Sequence, residues 1–195
     1  PDTVSRAQIT DRIDAAIAQI AGLAGTLPAR GRFRLMDSIA DTVKDVIWVQ
    51  ENAPENVPLK HEIYSAIEDQ APAGITIASS TSSLVWSELS SNMVDSSRLI
   101  TAHPFNPPHL MPLVELYGSD RNRIEAAASF YRTLERHPVR LKQEAVGHIA
   151  NRLSSALWRE AVNMVAEDIA DVEDIDAALV SGPGLRWSVI GSHMA

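Results

Sequence analysis

Apolar residues recur along this chain with two different periods. Over residues 4–24, Ile9, Ile13, Ile17 and Ile20 fall three or four apart, the spacing that lines one face of a helix. "GTLPARGR" (25–32) breaks that pattern with glycine and proline and predicts a loop. "FRLM" (33–36) is a short strand candidate, and Ser38 stands where an N-cap would start a short helix over "SIADTVKD". The period then shortens. "VIWVQEN" (46–52) and "GITIASS" (74–80) are compact apolar runs bounded by polar residues, as the buried strands of a parallel sheet are, with a helix between them over 56–69. "RLITAHPF" (98–105), "LVELYG" (113–118) and "PVRLK" (138–142) predict three more strands, and 120–136 a helix. A long helix comes next over 145–167, with Ile149, Leu153 and Leu157 on one face, and a final helix over 172–180 capped by Asp171.

Strands alternating with helices predict an α/β fold, a doubly wound parallel sheet over residues 1–142. From 143 to 195 the pattern is helical only, so the expected boundary is a change of class near residue 143. The composition adds limits. With 195 residues, 45% of them hydrophobic, the chain can bury a sizeable core. The net charge of −8 is spread over interspersed acids and bases, and the missing basic stripe argues against nucleic acid as a partner. There is no cysteine, which rules out disulfides and thiolate chemistry. The N-terminus "PDTVSRAQ" is polar, and no run reaches about 18 apolar residues, so no membrane span and a cytoplasmic setting are expected. The histidines lack HExxH or similar spacing, and no metal site is expected. The terminal "GSHMA" matches a common expression-vector scar, and nothing rests on it.

Candidate chemistry gathers at the strand ends. In doubly wound sheets ligands sit beyond the carboxyl ends of the strands. Three such ends run into polar residues here: "ENAPEN" after 46–52, "SSTSS" after 74–80, and His103 after 98–103. His103 and Asn106 each precede a proline, which pushes the backbone out of the α region and restrains it. Glu115 lies inside an apolar strand, on the face opposite Val114 and Leu116. If it pairs with His103, it selects the imidazole tautomer and makes a general base. Ser82 and Asn151 are then candidate donors to a reacting oxygen. Taken singly, each has a plain structural reading: a surface histidine, a salt-bridged acid, a polar turn, a solvated asparagine. A Ser–His–Glu hydrolase is the competing chemistry, but no GxSxG elbow surrounds Ser82.

The same residues carry a family resemblance. "HPFNPPHLMPLVEL" resembles the HxxNP…LVEV segment of the 3-hydroxyacyl-CoA dehydrogenase superfamily. In the same order, "VQENAPENVPLK" resembles its ExxxENxxxK loop, "ASSTSSL" its serine-rich loop, and "GHIANRL" its GFxxNR helix start. The resemblance implies a Rossmann-like domain, NAD as cofactor, a homodimer, and hydride transfer at the hydroxyl-bearing carbon of a 3-hydroxy compound. It implies His103 as catalytic base, Glu115 as its partner acid, and Ser82 and Asn151 as donors to the substrate oxygen. It implies Glu55, Lys60, Ser82 and Asn106 at the cofactor.

Two departures stand out. No GxGxxG occurs, and "PDTVSRA" resembles the segment just after the ribose-binding acid at the end of the second strand. The chain is therefore expected to begin after that strand, without about the first 30–40 residues of a Rossmann domain, and to stop early in the helical domain. The C-terminal "SGPGLRWSVIG" is similar to the L-carnitine 3-dehydrogenase and L-gulonate 3-dehydrogenase (lambda-crystallin) branch, whose substrates are small free carboxylates. Arg186 is the candidate carboxylate partner. Three readings are open: a dehydrogenase of a small 3-hydroxy acid, a 3-hydroxyacyl-CoA dehydrogenase, or a crystallin-like protein that keeps the fold without turnover.

Overall fold

The computed structural model describes residues 6–24 and 29–193. The first residues of the expected 4–24 helix, the "PDTVSRA" start up to Ser5, the "GTLP" half of the first loop and the end of "GSHMA" lie outside the described residues. The chain divides into two compact units, with the division between Ile149 and Ala150.

The first unit is built on one sheet of five strands in sequence order: β1 (Val49–Glu51), β2 (Ile77–Ser79), β3 (Leu99–Pro104), β4 (Leu113–Tyr117) and β5 (His137–Arg140). Its helices are α1 (Arg6–Ala24), α2 (Ile39–Val43), α3 (Val57–Gln70), α4 (Trp86–Ser90) and α5 (Arg121–Thr133). Ser38 caps α2 as expected, and α3 and α5 have side-chain caps that the sequence reading did not name. Ser38 accepts from the Asp41 N–H, Asn56 from Leu59, and Asp120 from Asn122 and Arg123. Period-2 alternation splits the core between the two faces of the sheet. Ile100, Ala102, Val114 and Leu116 pack on Ile124, Ala127, Ala128 and Tyr131 of α5. Ile77 and Leu99 pack the other way, on Val43, Tyr64, Ile67 and Leu89.

The structure corrects the sequence reading at four points. The sheet is mixed, because β3 and β4 run antiparallel. The 105–112 connection is too short for the dozen or more residues that a parallel crossover needs, and Phe105 N–H closes it on Leu113 O. Residues 33–36 form no strand, since no ladder partner pairs with them among the described residues. The long helix begins at Ala150 rather than 145, because Gly147 and His148 have positive φ, +73° and +50°, which no α-helix accommodates. The helix over 172–180 is not the last, since Pro183 opens another.

The second unit holds α6 (Ala150–Ala166), α7 (Val172–Ser181) and α8 (Pro183–Val189). Asp171 occupies the N-cap position of α7 without a side-chain hydrogen bond. None of the three helices has a fully buried residue, and Leu153, Leu157, Trp158 and Val180 are exposed. No helix among the described residues is long and apolar enough to cross a membrane.

Candidate active site

The antiparallel turn from β3 into β4 makes the central contact. It sets His103 directly opposite Glu115 in the ladder, both on the face away from α5. Side chains opposite each other in such a pair are close enough to interact. The His103 Nδ1–H donates to Glu115 Oε2 at 2.8 Å, with His103 3% exposed and Glu115 fully buried. The second carboxylate oxygen, Oε1, accepts from the backbone N–H of Ile149 at 2.7 Å. With Nδ1 protonated and committed to the acid, Nε2 is left as the basic nitrogen. The Phe105 ring stands edge-on to the imidazole at 6.5 Å between centroids, on the proline-restrained segment that follows β3.

The loops after β1 and β2 are tied to each other beside this pair. The Glu55 carboxylate, exposed at the start of the α3 approach, accepts from Thr81 Oγ1 at 2.9 and 3.1 Å and from the Ser82 backbone N–H. Thr81 Oγ1 in turn accepts from the Leu84 N–H at 2.9 Å. The sequence-derived residues Glu55 and Ser82 thus meet through hydrogen bonds that cross the sheet edge.

Lys60 is placed differently from an exposed ligand-binding lysine. It is 1% exposed, and its Nζ donates to Glu51 Oε1 at 2.8 Å, to Glu51 Oε2 at 2.9 Å and to Ala53 O at 3.0 Å. Those contacts occupy the three N–H groups of an ammonium. Glu51 also accepts from Tyr64 OH at 2.7 Å, Ser79 Oγ at 2.9 Å and the Ala53 N–H at 2.5 Å. Burial, and after it the charge of Glu51, pushes the Tyr64 phenol well above its ordinary range, so it remains a donor. Tyr64 lies outside the sequence motifs, and Glu51 and Ser79, though inside the "VQENAPENVPLK" and "ASSTSSL" segments, are not among the expected site residues. A signal is there nonetheless: Lys60, Tyr64 and Ile67 sit at i, i+4 and i+7, one face of α3, and a lysine on a buried face requires an acid.

Asn106 is exposed, just beyond the end of β3. Asn151 is at the start of α6 and Arg186 on an exposed position of α8, both in the helical unit. "PGLRW" lies within α8. No group of three or more metal-ligating side chains occurs among the described residues. His148, weighed in the sequence only as a metal ligand, is buried with its ring 5.0 Å from that of His103.

The chain matches the model of the 3-hydroxyacyl-CoA dehydrogenase NAD-binding domain over residues 6–145 and that of the C-terminal domain over 147–193. The chain belongs to the 3-hydroxyacyl-CoA dehydrogenase family. Within that family it is 43% identical over 171 residues to an L-carnitine dehydrogenase of Nocardiopsis dassonvillei, covering 84% of this chain and 52% of that protein. It is 38% identical to a 3-hydroxyacyl-CoA dehydrogenase of Gibberella moniliformis, over 82% of this chain and 51% of that one. A solved structure of an NAD+-dependent dismutase, 5-formyl-3-hydroxy-2-methylpyridine 4-carboxylic acid 5-dehydrogenase, superposes with a TM-score of 0.86 at 30% identity, covering 97% of this chain and 64% of that one. The chain spans about half the length of the curated relatives it matches. The family placement agrees with the resemblance read from the four ordered motifs.

Proposed function

We propose that this chain supplies the general base and strand-end loops of an NAD-dependent dehydrogenase that oxidises the 3-hydroxyl of a small hydroxy acid of the carnitine or gulonate class. The observation that carries the reading is the buried His103–Glu115 pair, 2.8 Å apart at the carboxyl end of β3. NAD, when bound, would supply the hydride acceptor for the hydroxyl-bearing carbon. His103 Nε2 takes the hydroxyl proton in the same step. Glu115 stabilises the imidazolium that results, because a carboxylate beside an imidazole favours its charged form. The Ser82 hydroxyl is a donor to the substrate oxygen from the β2 loop. Asn151 enters the proposal on its family motif alone.

NAD would be held by Glu55, Ser82 and Asn106, positions that the family resemblance assigns to the cofactor. Glu55, Ser82 and Asn106 are polar groups at adjacent strand ends, and the Glu55 carboxylate accepts from the Ser82 backbone N–H. Lys60 would act there indirectly, holding the β1–α3 loop in place through Glu51 and Ala53. The sequence has no glycine-rich loop for the pyrophosphate. A homodimer through the helical unit belongs to the same proposal, supported by the exposed apolar side chains of α6.

Identity to L-carnitine dehydrogenases supports a free acid over a thioester. Arg186 is proposed as the bidentate partner of the substrate carboxylate, a geometry that lysine does not copy. The test is a rate panel in the full-length protein: carnitine, gulonate and 3-hydroxybutyrate against 3-hydroxybutyryl-CoA. The free acids should be the better substrates, and Arg186→Lys should cost on the order of 1.5–3 kcal/mol of transition-state binding on them. A CoA ester as best substrate, turned over equally by the mutant, would replace this reading with the acyl-CoA one.

A further inference from the structure

The turn that ends the sheet unit has no part in the chemistry above, yet it holds a second buried histidine. His148 is 3% exposed with φ of +50°, and it follows Gly147 at +73°. A non-glycine residue in the left-handed region is strained and persists only where its surroundings hold it. Here the surroundings are specific. The His148 Nε2–H donates to the carbonyl of Thr81 at 2.9 Å, on the loop after β2. The next backbone N–H, that of Ile149, donates to Glu115 Oε1 at 2.7 Å. The strained turn therefore touches the serine loop through a side chain and the acid of the His–Glu pair through the main chain.

The geometric consequence concerns Glu115. Its Oε2 has to face His103 Nδ1 if the imidazole is to keep its proton there and present Nε2 as base. The Ile149 N–H on Oε1 fixes the plane of that carboxylate. The left-handed turn aims this N–H, and the bond from His148 to Thr81 anchors the turn. Thr81 also donates its hydroxyl to Glu55, which accepts the neighbouring Ser82 N–H. We infer that His148 is a positioning residue, whose hydrogen bond to the Thr81 carbonyl locks the 147–149 turn so that Glu115 holds His103 in the Nδ1–H tautomer while the serine loop stays in register. The inference rests on the assignment of His103 as base. A histidine that merely fills space would be replaceable by any ring of the same volume; what distinguishes His148 is its donor.

The experiment is long-range proton–nitrogen NMR of the imidazoles in the 195-residue chain, with amide exchange at Ile149. The wild type should show His103 as Nδ1–H, His148 as Nε2–H and a protected Ile149 amide. His148→Phe keeps the ring and removes the donor. It should raise Ile149 exchange about tenfold, the scale of one hydrogen bond, and turn the His103 signal into a mixture of tautomers. His148→Gln restores an N–H at similar reach and should recover both readouts. An unchanged Ile149 amide with pure Nδ1–H His103 in His148→Phe would overturn the inference and leave the base assignment standing. A wild-type His148 with its proton on Nδ1 would overturn it without any variant. A wild-type His103 with its proton on Nε2 would overturn the base assignment and this inference together.

Discussion

Glu115 carries the most information of any single residue in the chain. An acid in the apolar run "LVELY" is legible as either paired or out of place, and the period-2 rule puts it on the face away from Val114 and Leu116. Its partner follows from family spacing, but the reason it reaches His103 does not: that depends on β4 running antiparallel to β3. The pair makes a specific demand. In Glu115→Gln one carboxylate oxygen is replaced by an NH2 group, and the acceptor that holds the His103 Nδ1–H is no longer charged. Turnover in the full-length protein should fall roughly 10²-fold or more, the low end of the worth of a general base, with KM nearly unchanged. Steady-state kinetics checks this, and a rise in KM with kcat intact would show that the acid serves binding instead.

At the scale of elements, the sequence locates most of the strands and helices, because their hydrophobic periods are clean and Ser38 caps α2 where the pattern places it. It fails where local signals conflict with tertiary ones. "FRLM" has strand propensity and no partner, and "EAVGHIA" has helical periodicity interrupted by two positive φ angles. The hidden feature is the ion pair between β1 and α3. Lys60 and Glu51 are both buried and in contact at 2.8 Å. Removing one partner leaves a buried charge, so Lys60→Met should destabilise the fold by about 3–5 kcal/mol. Lys60→Met combined with Glu51→Leu should recover a large part of that loss. Urea unfolding of the single and double variants measures it. A single variant as stable as the wild type would mean that the pair is solvated in solution.

Over the whole molecule, two burial effects set how the fold responds to alkali. Burial raises the phenols of both Tyr64 and Tyr131 above their ordinary range, with Glu51 adding to the shift at Tyr64. A group whose folded value is raised stabilises the fold fully below its unfolded value, and that stability drains away as pH climbs toward the folded one. Stability should therefore decline above about pH 10, with these two phenols ionising only as the chain unfolds, and Tyr64→Phe should flatten the decline. Ultraviolet titration of tyrosinate alongside circular dichroism tracks both events. Family and class are readable at this scale from four ordered motifs, since each motif sits at a strand end or helix start and the sheet brings three of those ends together. His103 is proposed here as the proton acceptor of an NAD-dependent oxidation. That role is tested most directly by comparing NAD reduction in the full-length protein and its His103→Ala variant, with NADH affinity measured in parallel. Turnover in the variant should be lower by roughly 10²–10⁴-fold with NADH affinity unchanged; turnover within a few-fold of wild type would contradict this role for His103.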